Sequence, residues 1–132
     1  MTLRPLSPTV SVSAQLALDD MPAVAAAGFG RVISNRPDGE EPGQPSASQM
    51  EAAARDAGLA FVWVPVTGLP GSDQVAAVAA SLADGVPTVM FCRSGMRSAS
   101  AWAMAQRLQG VDADVLREVA ASAGYDLGRV PL

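Results

Sequence analysis

Seven consecutive residues bring together a nucleophile and the groups that would hold an anion against it: Cys92-Arg93-Ser94-Gly95-Met96-Arg97-Ser98. Cys92 is the only cysteine and closes the apolar run Val89-Met90-Phe91, while Ala99 to Leu108 reads as a helix. The thiol is therefore expected where a buried strand gives out and a helix begins. A helix N-terminus carries unpaired N–H groups and the positive end of the macrodipole, so it attracts anions and favours thiolate over thiol. Arg93 and Arg97 add two guanidinium groups, and Gly95 permits backbone angles that turn successive N–H groups onto one anion. The expected device is a nucleophilic cysteine in an anion cradle built from Arg93, Ser94, Gly95, Met96, Arg97 and Ser98. A lone cysteine is more often a small buried hydrophobe, and Arg-Ser-Gly is often only a turn. Cys92 ends its apolar run instead of sitting inside it, which favours the active-site reading.

The elements that must position this loop are legible on both sides of it. Thr9 to Ser13 alternates polar and apolar residues, as a half-buried strand near a sheet edge would. Asp19 and Asp20 introduce a short helix carrying an early Pro22 and closed by Gly28. Val32-Ile33-Ser34 reads as a strand and runs into the loop Asn35-Arg36-Pro37-Asp38-Gly39-Glu40-Glu41. Ser46 and Gln49 form a capping box for a helix that Gly58 ends. Phe61 to Val66 is apolar without alternation, which predicts a strand covered on both faces. Ser72 or Asp73 is placed to cap the next helix, which carries Val75, Val78, Ala79 and Leu82 and stops at Gly85. Val86 to Phe91 is the strand leading to Cys92, and the helix after it is apolar nearly all round, so both Trp102 and Trp63 are assigned to the core. Asp112 caps a last helix, closed by Gly124. Strands alternating with helices predict an α/β domain of residues 1–132 with a mainly parallel sheet of four to five strands flanked by helices. In such sheets the site forms at the carboxyl ends of the strands, where Cys92 to Arg97, Asn35 to Glu41 and Thr67 to Ser72 all fall.

Composition excludes several classes. The chain has 132 residues, a net charge of −4 and 49 % hydrophobic residues, which argues against disorder and against nucleic-acid binding. It has no histidine, so Ser-His and Cys-His dyads and histidine metal sites are ruled out; with one cysteine, no zinc ligand set and no cofactor are expected. A single cysteine fits a reducing, cytoplasmic setting. Proline interrupts the first residues, which lack the apolar run of a signal peptide, and no stretch reaches membrane-spanning length.

Four motifs come in the order of one family: Asn35 to Glu41, Pro65-Val66-Thr67, Cys92 to Ser98, and Ala123-Gly124-Tyr125-Asp126-Leu127. Over nearly the whole chain they resemble the phosphatase-like domain of the β-lactamase-hydrolase-like proteins. The resemblance implies a protein-tyrosine-phosphatase-like fold of the dual-specificity type and an activity described variously as phosphatase, hydrolase or sulfurtransferase. One departure bears on chemistry. Protein tyrosine phosphatases place five residues between cysteine and arginine and usually a histidine before the cysteine, whereas here four residues separate Cys92 from Arg97 and Phe91 precedes the cysteine. The short loop is similar to that of rhodanese sulfurtransferases.

Loop length places sulfur transfer slightly ahead. Cys92 thiolate would take the outer sulfur of thiosulfate or a related persulfide donor, and an acceptor thiol or cyanide would remove it. Under the alternative, Cys92 attacks the phosphorus of a phosphate ester and Arg97 braces the phosphoryl oxygens. Asp38 or Asp73 would then protonate the leaving oxygen, each having a simpler reading as a turn residue or a helix cap. Ser98 would donate to the thiolate or cap the helix. Arg36 would be a further anion contact, or would pair with Glu40 or Glu41. A non-catalytic anion binder is the third reading, disfavoured because a binder needs no thiol.

Overall fold

The computed structural model describes all 132 residues and has an α/β architecture. The strands are β1 (Arg4–Pro5), β2 (Val10–Ser13), β3 (Arg31–Ser34), β4 (Ala60–Trp63) and β5 (Thr88–Phe91). The helices are α1 (Met21–Ala26), preceded by a short 3-10 turn, α2 (Ala47–Asp56), α3 (Ser72–Leu82), α4 (Met96–Leu108) and α5 (Ala113–Ser122). The five strands lie in the order β1-β2-β5-β3-β4. All pairings are parallel except β1 with β2, where Arg4 faces Val12. β5 is thus the central strand, and the loop leaving it stands between the ends of β2 and β3.

Alternation along the central strands divides the core between the two faces. Val32, Val89 and Phe91 join Met21, Val24 and Met50 on the α1/α2 face. Ile33 and Met90 join Val78, Trp102, Leu116 and Leu127 under α3, α4 and α5. Period-two side-chain direction makes this unavoidable once both faces are covered. Small residues along α4, among them Ala99, Ala101, Ala103 and Ala105, are buried and let its backbone approach the sheet. Gly28, Gly58, Gly85, Gly110 and Gly124 each follow a helix with positive φ, as the stop signals predict.

Four local expectations are corrected. β4 is an outer strand, not one covered on both faces; Ala60 and Trp63 are exposed and Phe61 and Val62 only half-buried. Trp63 therefore leaves the core, 43 % exposed, with its indole N–H donating to the Arg36 carbonyl at 2.9 Å. β2 is covered by the two-residue β1 and is buried throughout. The cap of α3 is Gly71, whose N–H donates to Gln74, so neither Ser72 nor Asp73 serves. The capping box of Ser46 with Gln49 and the cap from Asp112 form as the sequence predicts.

Candidate active site

α4 begins at Met96, three residues earlier than periodicity suggests, so Arg97 and Ser98 lie in its first turn. Gly95 is the turning point between strand and helix, buried and with φ of +97°. A Cβ on Gly95 would lie 2.2 Å from the Tyr125 hydroxyl and 3.0 Å from Val12, so glycine is required for space as well as for conformation. The outcome is chemical: the Gly95 N–H donates to Cys92 Sγ at 3.1 Å. Cys92 is fully buried. The backbone around it is pinned by neighbouring strand exits, with Gln15 N–H donating to the Arg93 carbonyl at 3.1 Å and Asn35 N–H to the Phe91 carbonyl at 2.8 Å.

Arg97 turns inward over this loop. Its Nη1 donates to Glu40 Oε2 at 2.7 Å and to the Val66 carbonyl at 2.8 Å, and its Nη2 donates to Glu40 Oε1 at 2.8 Å. Glu40 therefore holds one edge of the guanidinium as a fork, and the edge formed by Nε and the second Nη2 hydrogen has no protein oxygen on it. That side edge is the geometry that grips two oxygens of a phosphoryl group. The fork with Glu40, followed by the nearby Cys92 sulfur, raises the Arg97 pKa above its ordinary value against the opposing effect of burial. Reciprocally, the Arg97 hydrogen bonds hold Glu40 at about 2, with Arg36 adding to them.

Arg36 is 5 % exposed and fully engaged, donating to Glu40 Oε1 at 2.9 Å, Glu41 Oε1 at 3.1 Å and Gln15 Oε1 at 3.0 Å. Of its two expected roles, pairing with Glu40 and Glu41 is the one seen. Arg93 departs from expectation: its side chain is 69 % exposed and meets Glu41 at 2.6 Å, so it lies on the rim and not in the cradle. The reason is stereochemical, because consecutive residues at a strand end point to opposite sides and Cys92 takes the inward direction.

The two expected acids lie elsewhere. Asp38 Oδ1 accepts from the Ala47 N–H at 2.7 Å and so supports the start of α2. Asp73 is exposed in the first turn of α3, whose start shares a groove with Met104, Arg107 and Leu108, two turns and more along α4 from Arg97. Ser98 neither caps α4 nor donates to sulfur. Its hydroxyl donates to Asn35 Oδ1 at 2.8 Å, and both residues are fully buried. Ser94 is exposed on the outer side of the loop, its carbonyl 3.4 Å from the Tyr125 hydroxyl, and Met96 is half-buried against the core.

Three residues that sequence reasoning did not single out complete the arrangement. Asn35 joins the exits of β3 and β4 to the Cys loop, its amide donating to the Val64 carbonyl at 3.0 Å. Glu40 orients Arg97. Tyr125 packs beneath Gly95, and burial pushes its hydroxyl above the ordinary value, with Arg4 opposing and Cys92 adding. The quoted motifs contained all three; what distinguished them was a contact partner far along the chain.

The chain is similar to known proteins to different depths. The β-lactamase hydrolase-like protein of Xylella fastidiosa is 33 % identical over 132 residues, covering 98 % of this chain and 31 % of its own length. The chain thus spans about a third of that relative. The crystal structure of a candidate phosphatase from Neisseria meningitidis superposes with a TM-score of 0.83 at 28 % identity, covering 98 % of this chain and 93 % of that one. TpbA of P. aeruginosa, solved with one cysteine changed to serine and in complex with phosphotyrosine, shares the fold at 20 % identity and a TM-score of 0.68, covering 96 % of this chain and 76 % of that one. Residues 2–109 match the family described as Beta-lactamase hydrolase-like protein, phosphatase-like domain, and with the Cys92–Arg97 loop closing a five-stranded sheet of the tyrosine-phosphatase type, the chain belongs to that family.

Proposed function

We propose that this domain is a cysteine-dependent phosphate-ester hydrolase. The observation that carries the reading is the pairing of Cys92 Sγ, anchored by the Gly95 N–H, with an Arg97 whose outer edge is held by Glu40 and whose side edge is left for two oxygens of one anion. In the first step Sγ attacks phosphorus, an S–P bond forms and the ester P–O bond breaks. The amides of the loop and Arg97 carry the charge on the equatorial oxygens. In the second step water attacks phosphorus, the S–P bond breaks, and inorganic phosphate and the free thiolate are released.

The leaving group follows from the carboxylates. Asp38 is occupied at the start of α2, Asp73 is distant, and Glu40 and Glu41 are tied to arginines, so none of the four is placed to serve as a strong general acid. Esters with acidic leaving groups, aryl phosphates first, are the substrates this site handles without a strong general acid. The phosphotyrosine bound by TpbA is of that class.

Sulfur transfer is the second reading, favoured by the four-residue spacing between Cys92 and Arg97. The similarity to phosphatase structures puts hydrolysis first. The deciding experiment compares wild type with Cys92→Ser in aryl-phosphate hydrolysis and in thiosulfate:cyanide sulfur transfer. Hydrolysis that is lost in the variant supports the proposal. Sulfur transfer without hydrolysis, with one added sulfur on Cys92 by mass spectrometry, reverses the order, and silence in both assays leaves anion binding.

A further inference from the structure

The outer side of the Cys loop borders a cleft of about 370 Å³, lined among others by Arg4, Ser13, Gln15, Ser94 and Tyr125. This is the size range of small-ligand sites. Its one cationic side chain is Arg4. Around the cysteine the other arginines are answered by acids, Arg97 and Arg36 by Glu40, and Arg36 and Arg93 by Glu41. Arg4 makes no ion pair, although acids outnumber bases 13 to 9 in the chain.

Arg4 is nevertheless seated. Its Nη1 donates to the Ala123 carbonyl at 3.0 Å, and its guanidinium lies 6.0 Å from the centroid of the Tyr125 ring. Gly124 makes room for it, because a Cβ there would come within 2.8 Å of Nη1. The pairing of Arg4 with Val12 fixes its backbone beside β2. Arg4 is exposed to solvent, and these contacts orient its guanidinium at the mouth of the cleft. Tyr125 ties the seat to the reaction centre, with its ring under Arg4 and its hydroxyl against Gly95 and the Ser94 carbonyl.

We propose that Arg4 is a specificity-determining residue that binds a second anionic group, a carboxylate or a phosphate, on the leaving part of a small aryl phosphate lying in this cleft. The assignment rests on the hydrolase reading for its catalytic meaning, but the binding it describes can be measured without turnover. Charge-assisted hydrogen bonds to a fixed guanidinium correspond to about tenfold or more in affinity.

Wild type, Arg4→Gln and Arg4→Lys are compared on phenyl phosphate and on meta- and para-carboxyphenyl phosphate at low salt. The ratio of kcat/KM for the carboxylated over the plain ester is expected to fall about tenfold or more in Arg4→Gln, through KM, and to recover in part in Arg4→Lys. Both esters are read on one preparation, so loss of folded protein cancels. A ratio that stays within about twofold of wild type overturns the proposal, as does equal loss on both esters. Dissociation constants for phenylphosphonate and its carboxylated analogues form the second arm. Selective phosphonate binding that depends on Arg4, with no ester hydrolysed, sustains this site and sinks the hydrolase. Hydrolysis without selectivity does the reverse.

Discussion

Glu40 and Arg97 lie 57 residues apart and meet in a two-point fork of 2.7 and 2.8 Å. One comes from the loop after β3, the other from the first turn of α4. The fork fixes the orientation of a guanidinium that would otherwise sample several rotamers, and it leaves the edge nearest Cys92 free of protein oxygens.

Glu40→Gln should reduce kcat/KM for an aryl phosphate about tenfold or more while leaving Cys92 in place, because a neutral amide offers Arg97 one acceptor in place of a charged fork. A pH signature accompanies this. Glu40 titrates near 2 in the folded chain against an ordinary 4.5, so its ionisation favours the folded state above about pH 4.5 and that contribution disappears as pH falls toward 2. Thermal melts between pH 6 and pH 2.5 should show the wild type losing more stability than Glu40→Gln. Parallel melts would remove the fork from the account.

Arg93 and Arg97 are both basic and both within the loop, but only one should be essential. Arg97→Ala is expected to lower kcat/KM by about 100-fold or more, as loss of a transition-state charge contact does. Arg93→Ala removes a rim contact whose side chain is 69 % exposed, and should cost less than about threefold. Steady-state kinetics of the two variants side by side test this, and equal losses would refute the geometry described.

Asn35→Ala should be among the more damaging polar substitutions. It leaves the buried Ser98 hydroxyl and Val64 carbonyl without the partners they hold at 2.8 and 3.0 Å. The expected cost is about 2 kcal/mol or more, measured by urea denaturation, with Ser98→Ala nearer 1. A double-mutant cycle should return clear coupling between the two.

Gly95→Ala should disable the loop in two ways at once. The new methyl meets the Tyr125 hydroxyl, and the backbone keeps a φ of +97° that an L-residue resists. Loss of about 3 kcal/mol in stability or near-complete loss of turnover is expected. Gly95→Ala retaining wild-type turnover and melting temperature would show that the loop relaxes freely.

What the amino-acid order determined by itself is everything set by neighbours within a few residues. Helix ends follow from Ser46 with Gln49, from Asp112 and from the run of stop glycines; the parallel α/β plan follows from alternating strands and helices; and the Cys92–Ser98 loop stands at a strand-to-helix junction because its apolar run stops at the cysteine. The tertiary structure decided what depends on strand order and distant pairing. Placing β4 outermost exposes Trp63, which local hydrophobicity assigned to the core. Asp38 turned to α2, Arg93 to solvent and Ser98 to Asn35, while Glu40, unremarkable among loop acids, came to hold Arg97. A side chain with several possible partners takes the one the fold carries to it, and a hydrogen bond spanning 57 or 63 residues leaves no periodic trace in the chain.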